Sequence, residues 1–149
     1  MLQIKELRIG NKVSGTGLHE GRVLTIRTME YFDDAGFVLF FKEHDEGEYL
    51  RDCLPIPLTA EILEQAGFVQ KSLGPLQQFV QGFNPFTRDH LVVLEWSERC
   101  GYYFYNNAAH PVRYVHQLQN LYQILTGKEL HFEALPERLL YETGAEVLV

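Results

Sequence analysis

Cysteine is scarce: only Cys53 and Cys100 occur among 149 residues, 47 positions apart and outside any CxxC or Cys/His ligand spacing. A linear zinc motif is thereby excluded, and two reduced thiols are the plain expectation. Long apolar runs are missing too, since no segment approaches the roughly 18 uninterrupted apolar residues of a membrane helix. The opening MLQIKELRIGNK lacks the basic, apolar and small-residue order of a secretion signal. These absences predict a cytoplasmic protein that neither crosses nor binds the membrane. There is no internal repeat or low-complexity tract to indicate a solenoid or a long linker.

Catalytic and cofactor signatures are equally absent. Gly10, Gly15, Gly17 and Gly21 accompany no GxxxxGK[ST], and Gly21 follows Gly17 by four, which breaks the GxGxxG spacing. Turn formation accounts for them. His110 and His116 are six apart, about 240° around a helix, and cannot share one face. His19, His44, His90 and His131 are isolated, with no HExxH. The acidic run Glu43 to Glu48 lacks the Asp/Asn alternation and closing Glu of a calcium loop and is expected as a solvated hairpin tip. A thiolate nucleophile at Cys100 assisted by His110 or His116 has no local support. No catalytic residue, metal or cofactor is therefore assigned.

What is present is aromatic and unevenly charged. Eight Tyr and ten Phe suit strands and sheet faces. The formal charge of −7 opposes general binding to a phosphate backbone. It is distributed in blocks: residues 1–28 carry +3, residues 29–64 hold two basic against ten acidic residues, and the remainder is nearly balanced.

Apolar and β-branched runs at Gly21 to Thr28, Gly36 to Lys42 and Glu48 to Leu54, broken by SGTG, DDAG and DEG, predict short strands in residues 1–57. They suit a small SH3-like β-barrel or a bent sheet, because bending hides strand edges. An α+β unit is expected over 58–133. Thr59 caps a short helix stopped at Gly67, and Lys71 to Pro85 holds one strand beside a loop. His90 to Trp96 pairs with Gly101 to Tyr105 as a hairpin. An amphipathic helix runs from Pro111 to Thr126, closed by Gly127. Residues 134–149 form an extension with a helical turn after Pro136, either docked or free.

The helix places Tyr114, Val115, Leu118, Leu121, Tyr122 and Leu125 in one arc of about 120°. His116, Gln119, Asn120 and Gln123 then form an opposite polar row available to a protein partner. In GYYFY, Tyr103 and Tyr105 share one sheet face, which is either covered internally or offered to another chain. Lys12, Arg22 and Arg27 are the candidates for contact with nucleic acid through the basic N-terminal segment.

Three stretches taken together, ELRIGN at 6–11, PIPLT at 55–59 with Gly67-Phe68, and YVHQLQNLY at 114–122 with LTG at 125–127, resemble a family of short uncharacterised Bacteroidetes and phage or prophage proteins. The resemblance covers scattered pieces of residues 4–132. This chain departs from it by continuing seventeen residues past Phe132. What the resemblance implies is organisational, and it brings no established activity; taken with the missing catalytic signature, it leads to the expectation of a non-enzymatic accessory protein of a phage or mobile element that acts by protein contact. The alternatives are a nucleic-acid-binding module and, third, an enzyme without a linear motif.

Overall fold

The computed structural model describes residues 1–73, 76–81, 92–106, 110–142 and 145–148. The chain divides into two compact units, Met1–Ile56 with Leu135–Val149, and Pro57–Ala134. Both are antiparallel sheets with few helices, an α+β protein.

In the first unit, β1 (Lys12–Gly15), β2 (Val23–Phe32), β3 (Gly36–Phe41), β4 (Glu48–Tyr49) and β5 (Cys53–Leu54) form one sheet in the order β4-β3-β2-β1-β5. The two edge strands are joined by a single 3₁₀ turn, Leu50–Asp52. A flat five-stranded sheet would separate its edges by about 19 Å, yet the chain from Tyr49 to Cys53 reaches at most about 14 Å. The sheet is therefore strongly bent, though it does not close into a barrel. Its concave side is filled by Val13, Leu24, Ile26, Leu39, Phe41 and Cys53, with Leu2 and Leu7. Period-two alternation explains β3: Leu39 and Phe41 are buried, while Val38 and Phe40 are half-buried on the other face. Gly36, at φ +75°, supplies the turn conformation that opens β3.

The extension returns to this unit. Val23 N donates to Glu137 O at 2.9 Å and Leu139 N to Gly21 O at 2.6 Å. Where a helical turn was expected after Pro136, a hairpin forms instead, β11 (Leu139–Glu142) with β12 (Ala145–Leu148).

The second unit is a meander, β6 (Val69–Leu73), β7 (Leu76–Gln81), β8 (Val92–Ser97), β9 (Tyr102–Tyr105) and β10 (Pro111–Val112), in the spatial order β10-β9-β8-β7-β6. Two strands thus occupy the stretch expected to hold one. The β8–β9 hairpin follows expectation, although His90 and Leu91 lie outside the described residues. Helix α1 (Ala60–Gln65) is capped as expected: Thr59 Oγ1 accepts from Ile62 N at 3.2 Å, and Gly67 follows at φ +85°.

Helix α2 (Val115–Thr126) begins four residues later than expected. Pro111 is not its first residue but an edge-strand residue opposite Phe104, a position where its missing N–H costs no ladder bond. The helix instead opens at Tyr114, with Gln117 Oε1 accepting from Arg113 N at 2.8 Å and Tyr114 N at 3.2 Å. Its buried residues are Val115, His116, Leu118 and Gln119. The polar row is therefore corrected: His116 and Gln119 are interior, Asn120 is half-buried and only Gln123 is exposed, alongside Ile124. The helix is turned by roughly one residue step, because polar side chains with hydrogen-bonding or ring contacts can be buried where hydropathy alone would leave them outside. The His116 ring stacks on Tyr114 at 5.9 Å, and Gln119 Nε2 lies 3.5 Å from Glu129 Oε1.

This orientation predicts that His116→Ala lowers the stability of the second unit by about 1–3 kcal/mol, whereas Gln123→Ala changes it by less than about 0.5 kcal/mol. Urea denaturation followed through Trp96, the single tryptophan, provides the measurement; equal effects would restore the expected helix face.

Candidate functional site

The first unit carries its distinctive chemistry on the loop between β1 and β2. Glu48 is 5% exposed, and its carboxylate turns back onto that loop, accepting from Leu18 N at 3.2 Å and His19 N at 2.9 Å. A buried carboxylate needs such donors to offset its lost hydration. The approach demands glycine. A Cβ at Gly17 would overlap Glu48 Oε1, and one at Gly15 would meet His19 O at 2.8 Å. Thr16 ties the start of the loop to Asp52 O through its backbone N at 2.7 Å and its hydroxyl at 2.9 Å. The acidic run is thus only partly the expected solvated tip. Asp45 and Glu46 are exposed, but Glu48 is buried and Glu43 Oε1 accepts from Thr25 N at 2.7 Å.

Leu18 borders two clefts. The larger, of about 570 Å³, is an open groove with Phe32, Val38, Phe40 and Tyr49 along it. Val38 is directly opposite Tyr49 across β3 and β4, which places both side chains on the face away from the core. Phe32, Tyr49 and Leu18 remain 42%, 41% and 65% exposed. Asp34 and Asp52 also line it. The Arg51 guanidinium lies 4.6 Å from the centre of the Tyr49 ring.

On its other side Leu18 meets a polar cleft with His19, Arg22 and His44. His19 Nε2 lies 2.8 Å from Glu46 O, and a carbonyl only accepts, so Nε2 carries the proton. Its Nδ1 is buried with no hydrogen-bond partner among the described residues. The ring stacks on His44 at 4.8 Å and meets Phe41 edge-on at 5.9 Å. One Arg22 terminal nitrogen is 3.2 Å from His44 Nδ1 and 3.0 Å from Nε2. Near-equal distances to lone pairs that diverge mean it faces the ring more than it addresses either nitrogen.

The residues expected to meet nucleic acid are each turned toward a neighbour in the chain. Lys12 Nζ is 2.8 Å from Thr25 Oγ1, Arg27 Nε donates to Phe41 O at 3.3 Å, and Arg22 contacts His44. Of the aromatic pair offered to a partner, Tyr103 is 6% exposed, held edge-on to Phe79 at 5.4 Å and against Trp96 at 4.7 Å. Tyr103 is thus covered internally. Tyr105 is half-buried and lines a separate cleft with His110, Gln117 and Leu121. Sequence reasoning missed Glu48, Phe40 and Tyr49. The signal for Glu48 was an acid spaced to return to a loop with two glycines, which is legible only once β4 is known to lie beside that loop.

Cys100 lies in an exposed cleft with Trp96, Tyr102 and Arg113, and neither His110 nor His116 lines it. Its thiol is shifted below the ordinary range by hydrogen bonds from the Ser97 and Tyr102 side chains, aided by Arg99 and Arg113. Cys53 is the reverse case. Burial, with Glu48 and Asp52 nearby, pushes it up to about 12. Among the described residues no three His, Cys, Asp or Glu side chains converge to hold a metal ion, and no helix is long and apolar enough to cross a membrane. Comparisons with family models, with curated proteins and with solved structures returned no match.

Replacing Glu48 by Gln, which presents an amide N–H₂ where an oxygen accepted, is expected to destabilise the loop by about 1.5–3 kcal/mol. Amide hydrogen exchange at Leu18 and His19 reads this directly: slow in the parent, fast in Glu48→Gln. Cys100 is exposed and its thiol is shifted downward, toward the reactive thiolate, whereas Cys53 is buried and shifted up. Iodoacetamide should label Cys100 alone in the folded protein and both cysteines in urea, as read by peptide mass spectrometry.

Proposed function

We propose that residues 1–56 act as an SH3-like binding module and that the chain is a non-enzymatic accessory protein. In this reading it grips an extended, cationic segment of another protein in the Phe32–Phe40–Tyr49 groove. The strand order β4-β3-β2-β1-β5, with a 3₁₀ turn joining the edge strands, supports the SH3-like description. The observation that carries the function is the groove itself: exposed aromatic rings flanked by Asp34 and Asp52. Aromatic walls suit a polyproline-like backbone, whose extended form is already populated and loses little entropy on docking. Carboxylates beside them select Lys or Arg on that segment. The −8 charge of residues 29–64 favours the same sign of partner. The resemblance to short phage and prophage proteins fits an accessory role in the cytoplasm. The nucleic-acid alternative draws less support, because Lys12 and Arg27 already hydrogen-bond within their own chain.

Selection of a random dodecapeptide library on the full chain tests the proposal. Enriched peptides should pair Lys or Arg with Pro or large apolar residues, and Tyr49→Ala should weaken their binding by about tenfold, roughly 1.4 kcal/mol. Enrichment of acidic peptides, or affinity indifferent to Tyr49, would sink it.

A further inference from the structure

At the end of the β1–β2 loop that the Glu48 carboxylate holds, the chain enters β2 through Arg22, and Arg22 is directly opposite Arg138 in an isolated antiparallel bridge. Opposed residues of an antiparallel pair project to the same face. Accordingly, both arginines line one cleft of about 390 Å³, together with His44, Glu43 and Glu137. Two guanidinium groups set across from each other repel, and such a pair is ordinarily relieved by a carboxylate between them.

That relief is missing. Among the described residues neither guanidinium is ion-paired, and the contact Arg22 makes is with the His44 ring. Glu43 lines the cleft with one oxygen, Oε1, engaged by Thr25 N, and keeps its negative charge there. Glu137 is held through its main chain, its carbonyl accepting from Val23 N, and it leaves one uncommitted negative side chain at the cleft. His44 is steadied by the stacked ring of His19. The paired positions are set by main-chain bonds on both sides of the bridge, Val23 N to Glu137 O and Leu139 N to Gly21 O. The two cations are therefore presented by backbone pairing and are not free to swing apart at their roots.

We propose that Arg22, Arg138 and His44 form a receptor for a small oxyanion, the phosphate of a phosphomonoester or inorganic phosphate. Guanidinium forks match phosphate oxygens two at a time, and two forks from the facing residues of one bridge can approach one group together. The imidazole of His44 borders the same space. Glu43 and Glu137 oppose the anion and tune the affinity downward. None of the residues along the aromatic groove lines this cleft, so the site stands or falls independently of the peptide-binding reading.

Titration of the full chain with inorganic phosphate, at ionic strength held constant with sodium chloride, provides the test. The Nε–H signals of Arg22 and Arg138 and the His44 ring should shift saturably. Arg22→Gln and Arg138→Gln should each weaken binding by about fivefold or more. Glu137→Gln should tighten it. Arg22→Lys, which keeps the charge and loses the fork, should weaken it also. Unchanged amide spectra of the variants away from the cleft establish that they are folded. The proposal is overturned by equal shifts with chloride alone, by parent-like binding in Arg138→Gln, or by weaker binding in Glu137→Gln. A thymidine oligonucleotide that binds far more tightly than phosphate and perturbs Lys12 and Arg27 would transfer the site to a nucleic-acid backbone and overturn the small-molecule assignment.

Discussion

The carboxylate of Glu48 is the constraint on which the surface of the first unit depends. A charge taken out of water must find donors, and here it finds the backbone of Leu18 and His19. That requirement explains why position 17 is glycine, since a Cβ there would press on the carboxylate, while at position 15 a Cβ would meet first the carbonyl of His19. It also sets what each side of the loop presents. Leu18 is left outside, bordering the aromatic groove, while His19 is drawn in against Phe41 and His44.

The bend of the sheet is the second constraint, and it follows from a short connection. Three residues join opposite edges of a five-stranded sheet. Their turn is held by Cys53, whose thiol lies 3.4 Å from Tyr49 O and is buried in the core. The same turn carries Tyr49 and Asp52 to the groove and offers Asp52 O to Thr16. Core packing and groove shape are thus two consequences of one bent sheet. Bending also brings the aromatic residues of β2, β3 and β4 along a common cleft without requiring them to be near in sequence.

Much of this architecture was legible in local chemistry. Thr59 and Gly67 bracket α1 by capping and by a left-handed stop, and GFVLFF opens on a glycine with positive φ and alternates as a strand should. The errors arise where pairing across the chain overrules a local signal. Pro111 is an admissible helix start, yet β9 recruits it as an edge strand. His116 and Gln119 read as a solvent-facing row because hydropathy registers their polarity and not the contacts they make inside. Gln77 and Gln78 dilute the apolar pattern of β7, although the strand is paired on both sides by β6 and β8. The two clefts were the least legible, because Phe32, Phe40 and Tyr49 belong to different strands, and Arg138 lies more than a hundred residues from Arg22.

The distribution of charge shows why a total is a poor guide to what this surface binds. Of the acids clustered in residues 29–64, Glu43 and Glu48 are spent on backbone donors of the same unit, whereas Asp34 and Asp52 line the groove. On the far side of Leu18, Arg22 and Arg138 oppose each other across a backbone bridge despite the net charge of −7. Field strength at a cleft falls with distance and with screening, so over the Debye length of about 8 Å the nearest few groups outweigh the sum over the chain. One loop therefore separates two environments of opposite electrostatic preference. The charge that a ligand meets is decided by which side chains line its cleft and by which, like Glu48, the fold has buried.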